Sequence, residues 1–350
     1  MLIFIKNIIL RVCRKWSLLL KEGSLWNELD LRKQNKSLTL KDLKSLIKRY
    51  GCESTRALML YGVFNQDQLA KKIRKFKIAE ESSEENDSRA ENEQIFYLDQ
   101  HFLSQLLAIK CSNLSTISLE YLDLSELNIG MFLNLRHLNS LYIKWCNIHA
   151  SWFQCIDCPF QNETNIKKFY LIKTGTLSYL DMIQICNIMP NLTCLSISQA
   201  NSTLKNDSID LIIEKLTNLQ KLELVNTLLD DEAIFKICNS TNLKRSLTHL
   251  NVSMSSSLTN SCLSAIGQNL ISLKSLYLTS CFGISNFNLL FNLKNLEYLN
   301  VNNTSIDKEN IRNVLVGMLP KCEIEYAHEK ILNKKLTWTI NGSRNSVCSF

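Results

Sequence analysis

The residues best placed for metal chemistry form one short cluster, "CNIHASWFQCIDC", which contains Cys146, His149, Cys155 and Cys158. A structural zinc site needs four nitrogen or sulfur ligands in a tetrahedron, and Cys-x-x-Cys supplies half of such a set. Cys155 and Cys158 are the single half-site here, so the spacing indicates zinc only weakly. We therefore expect no metal and no cofactor.

Residue patterns for covalent or phosphoryl-transfer catalysis are missing from the sequence. There is no Gly-x-Ser-x-Gly, no glycine-rich phosphate loop and no zinc-protease arrangement of the 5 His. A dispersed active site is the alternative left open, but we expect a non-catalytic protein without catalytic residues.

Charge, hydropathy and cysteine usage indicate which partners and which cellular compartment to expect. The formal charge of +7 is mild for 350 residues and its lysines are scattered, so we expect no nucleic acid. No apolar run approaches a membrane span, and we expect no membrane partner. The 13 Cys lack a paired framework, which favours reduced thiols in a cytoplasmic or nuclear protein.

An internal repeat is the strongest signal in the chain. A Leu-x-x-Leu-x-Leu pattern begins at residues 114, 138, 166, 192, 219, 247, 273 and 296, and a degenerate ninth copy follows at "LPKCEIEY". The steps of 23 to 28 residues match leucine-rich repeats, in which each copy supplies one strand and one helix. Stacking is required, because a single copy cannot bury its apolar face.

Local patterns explain the expected elements. Leu222 and Leu224 alternate with Lys221 and Glu223, so one face of this strand is buried and the other is wet. In the following segment, 230–240, apolar residues recur at helical spacing after two aspartates suited to capping. The fold class predicted is an α/β leucine-rich repeat solenoid: a horseshoe with a parallel sheet on the concave face and helices outside.

The outward strand positions are the candidate binding residues, because the concave face of a solenoid is its default binding surface. Tyrosines are prominent there and combine a broad apolar ring with a polar tip. The candidates for contact with a target protein are Tyr142, Lys144, Tyr170, Lys221, Glu223, His249, Tyr277 and Tyr298. Further outward positions are Lys168, Asn251, Thr279 and Asn300. The alternative is that several of these side chains only cover the sheet and bind no partner.

The domain organisation follows from these patterns and from one charged stretch. "KKIRKFKIAEESSEENDSRAENEQ" at 71–94 passes from basic to acidic with few apolar residues, which favours a flexible insertion. We place a linker and first irregular repeat at 32–70, the main repeats at 95–330, and a C-terminal cap or tail at 331–350. A regulatory role through phosphorylation of Ser82 and Ser83 is an open option for the insertion.

The segment 1–31 ends in "RVCRKWSLLLKEGSLWNELDL", with two tryptophans before the repeats. Its Val-Cys-x-x-Trp, Leu-Trp and alternating Leu resemble the second half of an F-box, and cysteine-containing repeats of this length are common in the same proteins. The chain thus resembles the F-box and leucine-rich repeat protein family. The matching residues are Val12, Cys13, Trp16, Leu25, Trp26, Leu29 and Leu31. An ordinary capping helix is the alternative.

The resemblance implies a substrate-recognition subunit of an SCF ubiquitin ligase. Its F-box would bind the Skp adaptor, and through it a cullin, with Val12, Cys13, Trp16, Leu25 and Trp26, while the repeats hold a target protein. The family's Leu-Pro-containing first helix has no match in residues 1–11, so we expect a partial F-box. Either the product is incomplete or alternatively started, which we favour, or the protein has lost adaptor binding. The competing class is a repeat scaffold or inhibitor without a ubiquitin role.

Overall fold

A computed structural model describes residues 23–31, 45–46, 48–62, 111–154, 164–175, 177–198, 204–306, 316–326 and 329–331. The chain divides into two compact units, Met1–Gly175 and Thr176–Phe350, called here the N-terminal and C-terminal units. The predicted insertion at 71–94 and the residues after 331 lie outside the described residues. Among the described helices, none is long and apolar enough to cross a membrane.

The described part of the N-terminal unit contains five parallel strands that pair in chain order. They are β1 (Glu28–Asp30), β2 (Ala57–Tyr61), β3 (Thr116–Glu120), β4 (Ser140–Lys144) and β5 (Lys168–Ile172). A 3₁₀ helix, Gly23–Trp26, precedes β1, and a short helix, α1 (Gly130–Leu133), lies between β3 and β4. Register pairs the apolar Ile117, Leu141 and Phe169 side by side, and all three are buried.

The C-terminal unit repeats the arrangement, and its described helices are up to 10 residues long. Its strands are β6 (Cys194–Ser198), β7 (Lys221–Val225), β8 (His249–Asn251), β9 (Ser275–Tyr277), β10 (Tyr298–Asn300), β11 (Glu323–Tyr326) and β12 (Glu329–Ile331). Its helices are α2 (Tyr179–Ile188), α3 (Asn206–Lys215), α4 (Asp231–Asn239), α5 (Thr241–Ser246), α6 (Asn260–Asn269), a 3₁₀ helix Phe287–Leu290, and α7 (Val316–Met318). Strands β6 to β11 pair parallel in order, and β12 adds antiparallel to β11.

The predicted repeat register is confirmed by the strand positions. Each of the eight patterns has its strand two residues after its first apolar residue, and the ninth copy supplies β11. Leu195, Leu222 and Leu250 are aligned across three neighbouring strands and have no exposed surface. A parallel sheet built from one strand per repeat, with helices between strands, defines the leucine-rich repeat fold.

Helix α4 shows how a helix of this fold begins and which of its faces is buried. The side chain of Asp230 accepts hydrogen bonds from the backbone N–H groups of Glu232 and Ala233, as the sequence predicts for a cap. The buried face of the helix consists of Ala233, Ile234, Ile237 and Cys238. In α3, Ile209 and Ile212 are buried, whereas Ile213 is half-buried.

Candidate functional site

A pair of stacked tyrosines dominates the outward face of the N-terminal unit. Register places Tyr142 of β4 directly beside Tyr170 of β5, and their ring centroids lie 4.4 Å apart at an interplanar angle of 15°. Both side chains are half-buried, so one part of each ring packs while the rest meets solvent. The two candidate tyrosines therefore form one aromatic surface whose rings are already packed against each other.

Lys144 lies beside the stacked pair, over the ring of Tyr142. Its Nζ lies 5.7 Å from the centroid of the Tyr142 ring and 3.5 Å from Oε1 of Glu120, which neighbours it in register. The Ser118 hydroxyl donates to the same carboxylate oxygen at 3.1 Å. Glu120 is thus held by two partners, and Lys144 is kept close to the ring face, where a cation is attracted by the aromatic quadrupole.

A second aromatic column follows the ends of the strands, and sequence reasoning missed it. Tyr61 meets Tyr121 edge-on at 5.0 Å, and Tyr121 stacks on Trp145 at 5.4 Å and 15°. Lys173 places its Nζ 3.7 Å from the Trp145 ring centroid. We call Tyr61, Tyr121, Tyr142, Trp145 and Tyr170 together the aromatic patch.

The column has a backbone cause. Tyr121, Trp145 and Lys173 each follow the last residue of a strand and have φ of 56°, 56° and 52°. In this left-handed conformation the Tyr121 N–H donates to the Lys144 carbonyl at 3.0 Å, and the Trp145 N–H donates to the Ile172 carbonyl at 2.7 Å. Each bond reaches the next repeat, so the turn places successive side chains one above another.

A signal for this column is present in the sequence. Tyr121, Trp145 and Lys173 stand seven residues after the first apolar residue of their repeats, at 114, 138 and 166. The same recurrence that located the strands would therefore have located the column, once this position was taken as outward.

In the C-terminal unit, charged candidates lie together on β7 and β8. Lys221 and Glu223 form an ion pair at 2.9 Å, and Lys221 aligns with His249 in register. His249 Nδ1 lies 2.8 Å from the Thr248 hydroxyl. Burial, followed by the positive charge of Lys221, lowers the pKa of His249, so its imidazole is neutral at pH 7.

The two tyrosine candidates of this unit also meet. Tyr277 and Tyr298 have ring centroids 5.0 Å apart at 39°. The Tyr298 hydroxyl donates to Glu325, and Asn302 Nδ2 donates to the other oxygen of that carboxylate at 2.9 Å. Burial, followed by the hydrogen bond to Glu325, raises the pKa of Tyr298. The phenol therefore stays protonated and its donor is already used.

Two residues that we predict to face outward are nonetheless buried. Asn251 and Asn300 are buried because each side-chain oxygen accepts a hydrogen bond from the backbone N–H two residues later, at 3.0 Å. Asn300 also accepts from the Thr279 hydroxyl at 2.8 Å. These amides fold over the strand ends and satisfy the backbone, which leaves little of them for a partner.

Cys146 is a core residue of the repeat. Its thiol donates to the Leu119 carbonyl at 3.3 Å, and burial raises its pKa to about 12. Cys281 occupies the same repeat position and donates to the Val252 carbonyl at 3.3 Å. His149 instead contacts the Ser151 hydroxyl at 2.7 Å, while Cys155 and Cys158 lie outside the described residues. Among described residues, no group of His, Cys, Asp or Glu could hold a metal.

The F-box-like segment is described only from residue 23, so Val12, Cys13 and Trp16 lie outside the described residues. Trp26 is buried and stacks on Tyr50, with centroids 4.1 Å apart. Leu25 is 43% exposed. Adaptor binding by Leu25 and Trp26 stays a prediction.

The parallel strand order and the one-strand-per-repeat register give the chain a leucine-rich repeat fold. No family model and no curated protein matches it. Solved structures similar to it include an internalin (inlF) from Listeria monocytogenes, with 18% identity and a TM-score of 0.47, covering 84% of this chain and 71% of that one. An internalin C2 (inlC2) from the same organism has 20% identity and a TM-score of 0.39, covering 58% and 80% respectively.

Proposed function

We propose that this protein is a non-catalytic scaffold that binds a protein partner through the outward faces of its repeat strands. The observation that carries the proposal is the stacked pair Tyr142 and Tyr170, half-exposed and flanked by Lys144. Tyrosine and tryptophan are enriched at the energetic centres of protein interfaces. Rings that are already stacked lose little side-chain freedom on binding, which removes part of the entropic cost of association.

Site-specific photo-crosslinking tests this proposal. Tyr142 is replaced with benzoylphenylalanine, and Tyr179 serves as the matched control because it is 44% exposed and opens helix α2 rather than a strand. Irradiation in cells should give one discrete protein adduct from position 142 and none of the same mass from position 179. Equal adducts from both positions, or none from position 142 in a variant with a native circular dichroism spectrum, contradict the proposal.

We further propose that the bound protein is the target of an SCF-type ubiquitin ligase, with this chain as substrate-recognition subunit. The support is local: β1 begins two residues after Trp26, which fits an F-box that runs into the repeats, and Leu25 presents an exposed apolar side chain beside it. The partners would be the Skp adaptor and a cullin. A cytoplasmic or nuclear location belongs to the same proposal.

Co-purification with the Skp adaptor tests this finer proposal. Leu25→Asp should abolish co-purification, whereas Leu228→Asp should not, although Leu228 is 65% exposed and receives the same change. Failure of the unaltered chain to retain the adaptor, or equal loss in both variants, contradicts the ligase assignment. It leaves the crosslinking test, and therefore the scaffold function, standing.

A further inference from the structure

One edge of the C-terminal unit is formed by the segments that lead into successive strands. Each segment stacks on the next through backbone hydrogen bonds: the Lys274 N–H donates to the Thr248 carbonyl at 2.7 Å, and the Glu297 N–H donates to the Lys274 carbonyl at 2.7 Å. The Glu323 N–H continues the series to the Glu297 carbonyl at 2.8 Å. The segments that lie side by side in this way are 241–248, 268–274, 291–297 and 319–322.

Positive charge predominates on these four segments, which contain five basic residues and one acidic residue. We call the basic residues together the basic edge: Lys244, Arg245, Lys274, Lys294 and Lys321. Lys274 is opposed by Glu297, the one acid, at 3.0 Å. Arg245, Lys294 and Lys321 are exposed and form no ion pair within the described part of the chain. The basic edge therefore keeps an excess of positive charge after its one ion pair is counted.

Helix ends account for only part of this charge. Lys244 and Arg245 lie in the last turn of α5, where cations interact favourably with the helix dipole. Lys244 also donates to the neutral Asn269 Oδ1 of the next repeat at 2.9 Å. Lys294 and Lys321, however, come after the 3₁₀ helix and α7 have ended. Because the dipole effect falls off within the last turn, it does not explain these two lysines.

Two large apolar side chains are exposed on the same edge. Ile271 is 55% exposed and Phe291 is 53% exposed. They lie on consecutive segments, which Asn295 joins by donating from its Nδ2 to the Ile271 carbonyl at 3.1 Å. Ile271 occupies the same repeat position as Arg245 and Lys294, two residues before the patterns that begin at 273, 247 and 296. Apolar surface is thus interspersed with cations along this edge.

The size of the basic edge and its surroundings indicate a narrow ligand. Neighbouring strands lie about 4.8 Å apart, so the three steps along the four segments span about 15 Å, the reach of roughly four or five extended residues. Acidic side chains lie beside the edge on both faces of the unit: Asp210 and Glu232 are exposed on helices, and Glu325 is half-buried on the strand face. A broad anionic surface such as a bilayer would also meet these acids, whereas one extended segment would contact the edge alone.

We propose that the basic edge binds an acidic segment of a second protein partner, in which carboxylates flank one large apolar side chain. The carboxylates approach Arg245, Lys294 and Lys321, and the apolar side chain packs on Ile271 or Phe291. Unlike charges across an interface speed the encounter and orient the partner. These residues are separate from the outward strand positions on which the proposed scaffold function rests, so the two surfaces can be tested independently.

Fluorescence anisotropy with two labelled peptides tests the inference on the full chain. The probe is a 15-residue peptide of Asp, Glu and Ser with a central Leu, and its counterpart replaces every carboxylate with the matching amide. The acidic peptide should bind more tightly, and added salt should weaken it because exposed charges are screened. Lys294→Glu with Lys321→Glu should weaken its binding roughly tenfold, because two attractions become two repulsions.

The matched control is Lys168→Glu with Lys205→Glu, two exposed lysines outside the basic edge that give the same change in net charge. It should leave binding within about twofold. Phe291→Ser should weaken binding roughly threefold because apolar contact is lost, whereas Leu228→Ser, at a side chain that is 65% exposed, should not.

Equal affinity for the two peptides, no measurable binding of the acidic peptide, or equal loss in both double variants overturns the inference. Sedimentation with vesicles of phosphatidylserine and phosphatidylcholine tests the broad alternative. Vesicle binding that Lys294→Glu with Lys321→Glu abolishes, together with no peptide binding, would assign the basic edge to a membrane surface instead.

Discussion

Truncation of one buried leucine tests whether stability resides in the repeat register. Leu222 of β7 has no exposed surface and lies between Leu195 and Leu250 on the neighbouring strands. Its neighbours in sequence, Lys221 and Glu223, point outward and are half-buried. Replacing Leu222 with Ala therefore removes apolar contacts with two adjacent repeats while it leaves the outward face unchanged.

The expected loss is large compared with the stability of a domain. A Leu→Ala change in a close-packed core costs about 2 to 5 kcal/mol, since the lost transfer free energy is joined by that of the residual cavity. Domains are typically stable by about 5 to 15 kcal/mol. With a urea m-value of about 2 kcal/mol/M, the unfolding midpoint should fall by about 1 to 2.5 M.

Urea unfolding followed by far-ultraviolet circular dichroism measures this shift. Leu228→Ala is the control, because it makes the same chemical change in the same repeat at a side chain that is 65% exposed. Its midpoint should correspond to a change within about 0.5 kcal/mol. If Leu222→Ala destabilises the chain no more than Leu228→Ala does, the packing described for this strand is incorrect.

Two further predictions concern titrating groups. Burial raises the pKa of Cys146 to about 12, so its thiol is protonated at pH 8, and iodoacetamide should alkylate the half-exposed Cys52 faster than Cys146; mass spectrometry that finds the two labelled equally fast contradicts this. The pKa of His249 is lowered by burial and Lys221, so the unfolded chain binds more protons and stability should fall as pH drops below about 6.5. His249→Gln should flatten that part of the stability curve, and an unchanged slope would assign it to other groups.

Strand positions were predictable from two features of the sequence: the alternation of apolar and polar residues within each strand, and the recurrence of that pattern in each copy of the repeat. Leu222 and Leu224 mark the buried face of β7, and the same spacing recurs in every neighbouring copy, so register follows without knowledge of distant contacts. Helix α4 was predictable for a similar local reason, since Asp230 caps a segment whose apolar residues have helical spacing.

The aromatic column was harder to predict because it depends on a turn. Nothing in a Tyr or a Trp indicates a left-handed backbone, yet Tyr121 and Trp145 adopt one where their N–H groups bond to the next repeat. Asn251 shows the opposite error: alternation makes it outward, but its own side chain bends back to the Ser253 N–H. Periodicity locates both kinds of position in the repeat, but it does not give the backbone hydrogen bonds at the strand ends that set their conformation.

In this fold, stability and recognition depend on different residues of the repeat. Successive copies can therefore present different side chains to a partner. A buried apolar residue recurs at the position of Leu222 in each of the eight copies and supplies stability, whereas the outward and post-strand positions vary in residue type. The N-terminal unit fills those positions with rings and lysines, while in the C-terminal unit Lys221 is paired with Glu223 and Tyr298 with Glu325. Side chains already paired within the chain gain less from a partner's charge, and this holds for Lys144 with Glu120 in the N-terminal unit as well as for Lys221 with Glu223.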